Sequence, residues 1–501
     1  MRKMYKLLLS WALLSAAACN PAPDDNSGSS SGEPLTLSAD SFLFESEGGE
    51  KTLEIKSSQK VYIVGNCSWC KVSSSAFAGG KTSSRFTVDP NEDVQSRSFV
   101  YSIVCGDEKK SFTIEQKAYE PGPVQDNEAL ATVRSLGLGW NLGNQLDAIN
   151  NGVSSETAWG NPLCTQTTFN SLKNKGFGSV RIPVTWSGHI GEAPDYILDQ
   201  AWLARVAEVA GYAKTAGLKA IINLHHDTGW LDIVKLSKGG EAKEQILACY
   251  KAVWAQIAEC FKNEGDWLIF EAFNELHDGS WGYGSNLSDG GAQYRAINEL
   301  NQLFVNTVRA AGGENAKRFL GIPGYCTNAE LTVKYLELPQ DIVEHRLMVA
   351  IHYYDPSGYA LGQNEAYTEW GHSGASGKKD PYHDEKSVVN TFDMVKRAFL
   401  DKNVPVYFGE TGCVNRSDTR QRAFQKYWFE YVYKAAADYG VAMFLWDNGA
   451  KSTGLESFGY LDHASGDYIN NSKEVIDVMK KATFTSDSSY TLDSVYSSAP
   501  K

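Results

Sequence analysis

The chain lacks a surplus of positive charge: 47 Lys and Arg stand against 60 Asp and Glu, a formal charge of −13. Phosphate backbones are gripped by basic patches, so nucleic acid is disfavoured as a partner. It also lacks an apolar run long enough to span a bilayer as a helix; the stretch Leu7–Ala18 falls short of the ~20 residues required. Cysteine is sparse, and the one C-x-x-C (Cys67-Ser-Trp-Cys70, with Cys105 further on) has neither a second pair nor a nearby histidine. A zinc or redox centre is therefore not expected there, and these cysteines read as structural. Nine cysteines leave one over, and their connectivity cannot be read from spacing.

What is present is ordinary globular composition, 42% hydrophobic and 21% charged, in 501 residues. That length accommodates two or three domains, or one barrel with an appendage. Aromatics are enriched at 12%, and all but two of the 13 tryptophans lie at or beyond Trp140. Indole buries well in cores, and exposed indole also offers a flat face on which sugar rings stack.

At the N-terminus, Arg2, Lys3 and Lys6 precede the short apolar stretch, which ends in Ala16-Ala-Ala-Cys19. This is an export signal, and small residues directly before a cysteine resemble a bacterial lipoprotein cleavage site. Residues 1–18 then read as a lipoprotein signal peptide, Cys19 as the lipidated residue, and 19–34 as a flexible tether. The acidic pair Asp24-Asp25 resembles a tag for the outer cell surface. The expected location is the bacterial outer membrane, lipid-anchored and surface-exposed, and a monomer is expected.

Residues 35–119 alternate polar and apolar in short runs, such as Thr52–Lys56, Arg85–Val88 and Ser98–Val104, separated by Gly, Asn, Asp and Ser. This predicts a small β-sandwich. The Ser68-Trp-Cys70 turn, the strand around Phe99 and the closing Phe112-Thr-Ile-Glu-Gln116 resemble a BACON module, an immunoglobulin-like domain fused to bacterial glycanases. The resemblance implies a carbohydrate binder or a spacer; Trp69 reads as core and no other aromatic cluster is evident, which favours the spacer. Residues 120–124 form a stiff linker.

Residues 125–485 change texture. Apolar runs begin near Leu136, Ser179, Lys219, Trp267, Lys317, Leu347, Val404 and Gly440. Between them lie helical stripes with apolar spacings of three and four, as in Asp199–Ala216 and Glu241–Lys262. Eight such repeats predict an α/β fold, a (β/α)8 TIM barrel, with 486–501 as a C-terminal tail. Active sites of this fold sit where the strands end. There the sequence offers Trp140–Asn144, Arg181, His225-His226-Asp227, Asn274-Glu275, His352–Tyr354, Glu410 and Trp446–Asn448; the fifth strand offers less. Two of these tips, Glu275 after Leu268-Ile-Phe and Glu410 after Pro405-Val-Tyr-Phe, are carboxylates capable of facing one another. Paired carboxylates around one bond perform glycoside hydrolysis, one as proton donor and the other as nucleophile or water activator. Adjacent His225 and His226 would point to opposite faces of a strand and so could not easily share an ion; no metal and no cofactor are expected.

The stretches GWNLGNQLDA (139–148), WGNP (159–162), VRIPVTW (180–186), IINLHHD (221–227), FNE (273–275), IHYYDP (351–356), FGETG (408–412) and LWDNG (445–449) together resemble glycoside hydrolase family 5. The likeness is greatest to its endo-β-1,4-glucanases acting on xyloglucan and mixed-linkage glucan. The resemblance implies a retaining endo-hydrolase of β-glucan polysaccharide, with Glu275 as acid/base and Glu410 as nucleophile. It further implies Asn274 on the sugar 2-hydroxyl, Arg181 and Tyr354 holding Glu410 ionised, His225 and His352 lining the cleavage subsite, Trp446 as its stacking floor, and Asn144 in the cleft. Trp159, Trp186, Trp230, Trp281 and Trp370 are candidates for outer subsites, and the long loop from Gly358 to His383 for a cleft wall. Alternatives are a β-mannanase or plain cellulase on the same fold, or a non-catalytic glycan-binding protein, which would not need the acid pair.

Overall fold

The computed structural model describes residues 34–91, 95–119 and 127–501. The expected signal peptide, Cys19, most of the tether and the whole linker lie outside the described residues. The chain divides into two compact units, Met1–Glu120 and Pro121–Lys501.

In the first unit two four-stranded sheets form. One has the order Thr36–Leu37, Gly49–Lys56, Lys81–Val88, Cys70–Ser74, and the other Ser41–Phe44, Glu108–Gln116, Arg97–Cys105, Tyr62–Val64. Successive side chains of a strand point to opposite faces. Leu53, Ile55, Phe86, Tyr101, Ile103, Phe112 and Ile114 accordingly bury together between exposed or half-buried neighbours. Trp69 is only partly buried at the rim of this core, with the Arg97 guanidinium 4.5 Å over its ring. Cys67, Cys70 and Cys105 are free thiols, the last two buried.

The second unit is a closed parallel barrel of eight strands. They are β1 (Leu138–Asn141), β2 (Ser179–Ile182), β3 (Lys219–Asn223), β4 (Leu268–Glu271), β5 (Leu320–Pro323), β6 (Leu347–Tyr353), β7 (Val406–Thr411) and β8 (Ala442–Leu445), with β8 pairing back onto β1. Every expected apolar run carries one of these strands. Outward residues such as Leu268, Phe270, Val406 and Phe408 pack into a core shared with the surrounding helices. Inward residues near the strand starts, including Ile221, Ile269, Met348, Tyr407 and Phe444, fill the barrel. Ala129, Val133 and Leu136 of the helix Glu128–Leu136 join them and close that end. One level higher the inward residues are polar: Asn141, Arg181, Asn223 and Glu271, all buried. The apolar plug below and the polar layer above it set the depth of the site.

The helices start and stop on sequence signals. Asp199 caps the helix Gln200–Ala216 by accepting the Ala201 N–H at 2.9 Å, and Gly217 closes it at φ 69°. A residue there must be left-handed, which glycine adopts without penalty.

Two expectations are corrected. Residues 486–501 do not trail as a tail. Thr491 caps a last helix, Leu492–Ser497, whose Val495 is buried in the barrel unit's core, and the Tyr496 ring stacks on His372 at 3.8 Å. Trp186 and Trp370 are fully buried core residues and are not available as sugar platforms. Trp370 lies within the loop from Gly358 to His383, which is further tied down by a 2.7 Å ion pair between buried Glu369 and Arg420.

Candidate active site

Of the predicted rim residues, Arg181, His225, Asn274, Glu275, His352, Tyr354 and Glu410 converge, whereas Tyr353 turns outward into the helix-facing core against Phe392, Phe408 and Trp428. Arg181, inward on β2, has no contact with water and is surrounded by acceptors. Its Nη1 donates to Glu410 Oε1 (2.7 Å) and Asn141 Oδ1 (3.0 Å). Nη2 donates to Glu271 Oε1 (2.7 Å) and Asn274 Oδ1 (2.8 Å), and Nε to Glu271 (3.2 Å). All five guanidinium donors are thus used. A buried cation is costly unless paired and fully hydrogen-bonded, and here two carboxylates and two amides meet that requirement.

Glu271 lies inside the apolar run Leu268-Ile-Phe-Glu-Ala-Phe, three residues before the Asn274-Glu275 tip. It is a fully buried carboxylate that also accepts from Asn223 Nδ2 (2.9 Å) and the Tyr407 hydroxyl (2.6 Å). Burial pushes its pKa up, but the Arg181 charge and these hydrogen bonds outweigh it and hold the carboxyl below the usual range. Asn141, Asn223 and Glu271 share one detectable signal: each is a polar residue interrupting an apolar run at an inward position.

Asn223 does a second job. Its Oδ1 accepts the Val184 N–H (3.2 Å), so its Nδ2 faces both Glu271 and His225 Nδ1 (3.2 Å). His225 Nδ1 must then accept, which leaves the proton on Nε2. Burial pushes the His225 pKa well down, so the ring is neutral. It lies parallel to the Trp446 ring at 5.8 Å, the indole being nearly buried.

Glu410 ends β7. Its Oε1 takes the Arg181 donor and its Oε2 accepts from the Tyr354 hydroxyl at 3.0 Å. Glu275 lies past the end of β4, its chain fixed by the Asn274 N–H donating to Leu224 O at 2.8 Å. One oxygen of each carboxylate and one nitrogen of His352 fall within 4.8 Å of one another. His352 Nδ1 stands 2.6 Å from Glu275 Oε1 and 3.7 Å from Glu410 Oε2. Burial pushes the Glu275 carboxyl up to about 7, against the pull of Arg181. Glu410 is also raised by burial, opposed by His352 and Arg181. Two acids this close titrate as a pair, and the one directly gripped by the guanidinium is the one that ionises first.

Beyond strand five, Thr327 Oγ1 donates to Cys326 O at 2.7 Å and stands 3.5 Å from Glu275 Oε1, a residue the sequence gave no reason to choose. Asn144 is held at φ 57° in the β1 loop, its carbonyl accepting from Asn161 at 3.0 Å. Trp159 and Trp281 are about half exposed, beside His226 and His277. The histidine expectation is corrected: β3 ends at Asn223, so strand alternation no longer applies, and the His225 and His226 rings stand only 4.4 Å apart. With Asp147 they bring ligand atoms within 4.8 Å, a grouping with metal-ligand character. The tautomer imposed on His225 by Asn223 opposes this, since it commits Nδ1 and protonates Nε2.

Comparison with known proteins follows the same division. The family Cellulase (glycosyl hydrolase family 5) matches residues 144–452, and the BACON family of N-terminal binding domains matches 58–117. Endoglucanase A of Ruminococcus albus is 38% identical over 349 residues, covering 68% of this chain and 89% of the relative. The Cellulase/esterase CelE of Acetivibrio thermocellus is 36% identical over 344 residues, which cover 68% of this chain but only 39% of that longer protein. The xyloglucan-specific endo-β-1,4-glucanase BoGH5A of Bacteroides ovatus is 31% identical over 436 residues, 81% of this chain and 84% of the relative. Among solved structures, a GH5-4 broad specificity endoglucanase from Bacteroides salanitronis is 51% identical with a TM-score of 0.70, covering 73% of this chain and 98% of that one.

Proposed function

The chain belongs to glycoside hydrolase family 5, and from that premise we propose that it cleaves β-1,4-glucan backbones internally, with retention, xyloglucan or mixed-linkage β-glucan being the substrate. The observation that carries the mechanism is that one oxygen of Glu275 and one of Glu410 lie within 4.8 Å of each other. Retaining pairs stand ~5–5.5 Å apart, whereas inverting pairs leave ~6.5–9.5 Å for a water.

In this reading Glu410 attacks the anomeric carbon while Glu275 protonates the departing oxygen. Glu275, raised to about 7, keeps its proton at mildly acidic pH, whereas Arg181 and Tyr354 each hold one oxygen of Glu410 and favour its anion. Asn274 has its Oδ1 occupied by Arg181, which leaves its amide N–H groups for the sugar 2-hydroxyl. His225 offers Nε2–H to the same ring, over the Trp446 floor. In the second step Glu275, now ionised, takes a proton from water, and the glycosyl–Glu410 ester is cleaved.

Xyloglucan is favoured by the extended match to BoGH5A, which reaches into the N-terminal unit. The broad specificity of the Bacteroides salanitronis relative keeps unbranched glucans as the second reading. We assign Cys19 to lipid attachment and the outer membrane surface to the enzyme, on the residues around the cleavage site. Initial rates on xyloglucan, mixed-linkage β-glucan, carboxymethylcellulose and glucomannan, beside Glu275→Gln and Glu410→Gln, test the reading. Preference for xyloglucan, abolished in both variants, supports it. Preference for carboxymethylcellulose or glucomannan refutes the substrate, and binding without hydrolysis refutes the activity.

A further inference from the structure

The loop that follows Glu275 carries the most exposed tryptophan among the described residues, Trp281 at 56%. Tyr283 and Leu287 of the same loop are exposed as well. Large apolar side chains gathered in the open mark a surface that meets a ligand or partner. The Trp281 ring packs on the half-buried His277 imidazole, with centroids 4.2 Å apart and planes 31° off parallel. His277 Nδ1 accepts the Gly279 N–H at 2.9 Å, which leaves the ring's proton on Nε2. Burial lowers the His277 pKa, so the ring is neutral; the Glu275 carboxylate, near enough to act on it, pulls the other way. The imidazole thus adjoins both the acid and the indole.

The loop is built to hold this shape. Asp278 accepts from the N–H groups of Ser280 (3.0 Å) and Ser285 (2.5 Å) and from the Ser285 hydroxyl (2.6 Å). Buried Asn286 donates to Gly282 O at 2.8 Å, and the Asp278 N–H donates to the Tyr325 hydroxyl at 3.1 Å, tying the loop to the turn after β5. Trp281 itself sits at φ 52°, a left-handed backbone disfavoured for a bulky side chain and kept only where the surroundings hold it. A surface ordered in advance loses little conformational entropy when a ligand settles on it. The acid protonates the glycosidic oxygen, so the leaving chain begins at the oxygen that Glu275 faces. We propose that Trp281, backed by His277, is the platform on which the β-linked glucosyl residues of that leaving chain stack. The inference rests on Glu275 being the acid, which directs the leaving chain along this loop.

Dinitrophenyl β-cellobioside reacts with no sugar on the leaving side, so it separates loss of the platform from general damage. Trp281→Ala should lower kcat/KM on cellohexaose and β-glucan by about tenfold and leave the dinitrophenyl substrate within about twofold, with most of the loss recovered in Trp281→Phe. Added cellobiose then tells the leaving side from the far end of the cleft. Its hydroxyl takes the place of water: the oxygen bonds to the anomeric carbon of the glycosyl–Glu410 ester, Glu410 departs as carboxylate, and the hydroxyl proton passes to Glu275. Tetrasaccharide formed per dinitrophenolate released should fall by about tenfold in Trp281→Ala. Unchanged transfer, equal losses on every substrate, or no loss on cellohexaose would overturn the platform while leaving the acid pair intact. A wild type that does not turn over the dinitrophenyl substrate would instead bring down the proposed activity, and this inference with it.

Discussion

Glu275→Gln should make the protein more stable, and more so as pH rises. The carboxyl's ordinary value is 4.5 and burial lifts it to about 7 in the folded chain. A folded-state value above the unfolded one means that the folded chain binds the proton more tightly, so stability falls as pH climbs between the two values and levels off above the upper one. Working the two-state linkage through, the wild-type carboxyl costs about 1 kcal/mol at pH 5 and about 3 kcal/mol at pH 8. Glutamine does not titrate and escapes this cost. The stability gap between variant and wild type should therefore widen by roughly 2–3 kcal/mol from pH 5 to pH 8. For a barrel of this size that is a shift of about 3 °C in the calorimetric midpoint. A gap that is constant or narrower at pH 8 would refute the reasoning, because the carboxyl would then have been ionised in the folded state all along.

Removing Arg181 as Arg181→Met leaves buried Glu271 without its cation, and should cost about 3–5 kcal/mol in urea unfolding, far more than Arg181→Lys, which keeps the charge. Tyr354→Phe deletes the donor on Glu410 Oε2; the acidic limb of the pH profile of kcat/KM should move upward, and an unmoved limb would show that Tyr354 does not support the anion. Truncation before residue 486 exposes the apolar surface that Val495 covers, and should lower the barrel's melting midpoint by several degrees.

The sequence carried the barrel because each strand is an apolar run with its polar tip at the same end, and the rim residues follow from that periodicity. Glu275 and Glu410 were readable as charges at strand tips, and Arg181 as a strand-borne cation that needs an anionic partner. Asn141 falls in the rim stretch Trp140–Asn144, and Glu271 and Asn223 interrupt their apolar runs, but which donor meets which acceptor emerges only once the barrel closes. Thr327 was invisible for a different reason: its contact with Glu275 spans 52 residues and depends on a left-handed turn that its β-branched type argues against. The two histidines misled because the strand ends at Asn223, one residue before the apolar run ends at Leu224. Trp186 and Trp370 carry no mark in the sequence separating a core indole from a sugar platform, and the final helix is too short to be read without the groove that receives it.

The central claim is that Glu410 forms a covalent bond to sugar while Glu275 supplies and removes the proton. It is tested most directly by incubating the enzyme with an activated 2-deoxy-2-fluoro-β-cellobioside, whose glycosyl ester turns over slowly, and locating the adduct by peptide mass spectrometry. The account predicts a single adduct, on the peptide bearing Glu410 and at that residue, and its loss in Glu410→Gln. An adduct elsewhere, or steady release of product with no adduct, would contradict it.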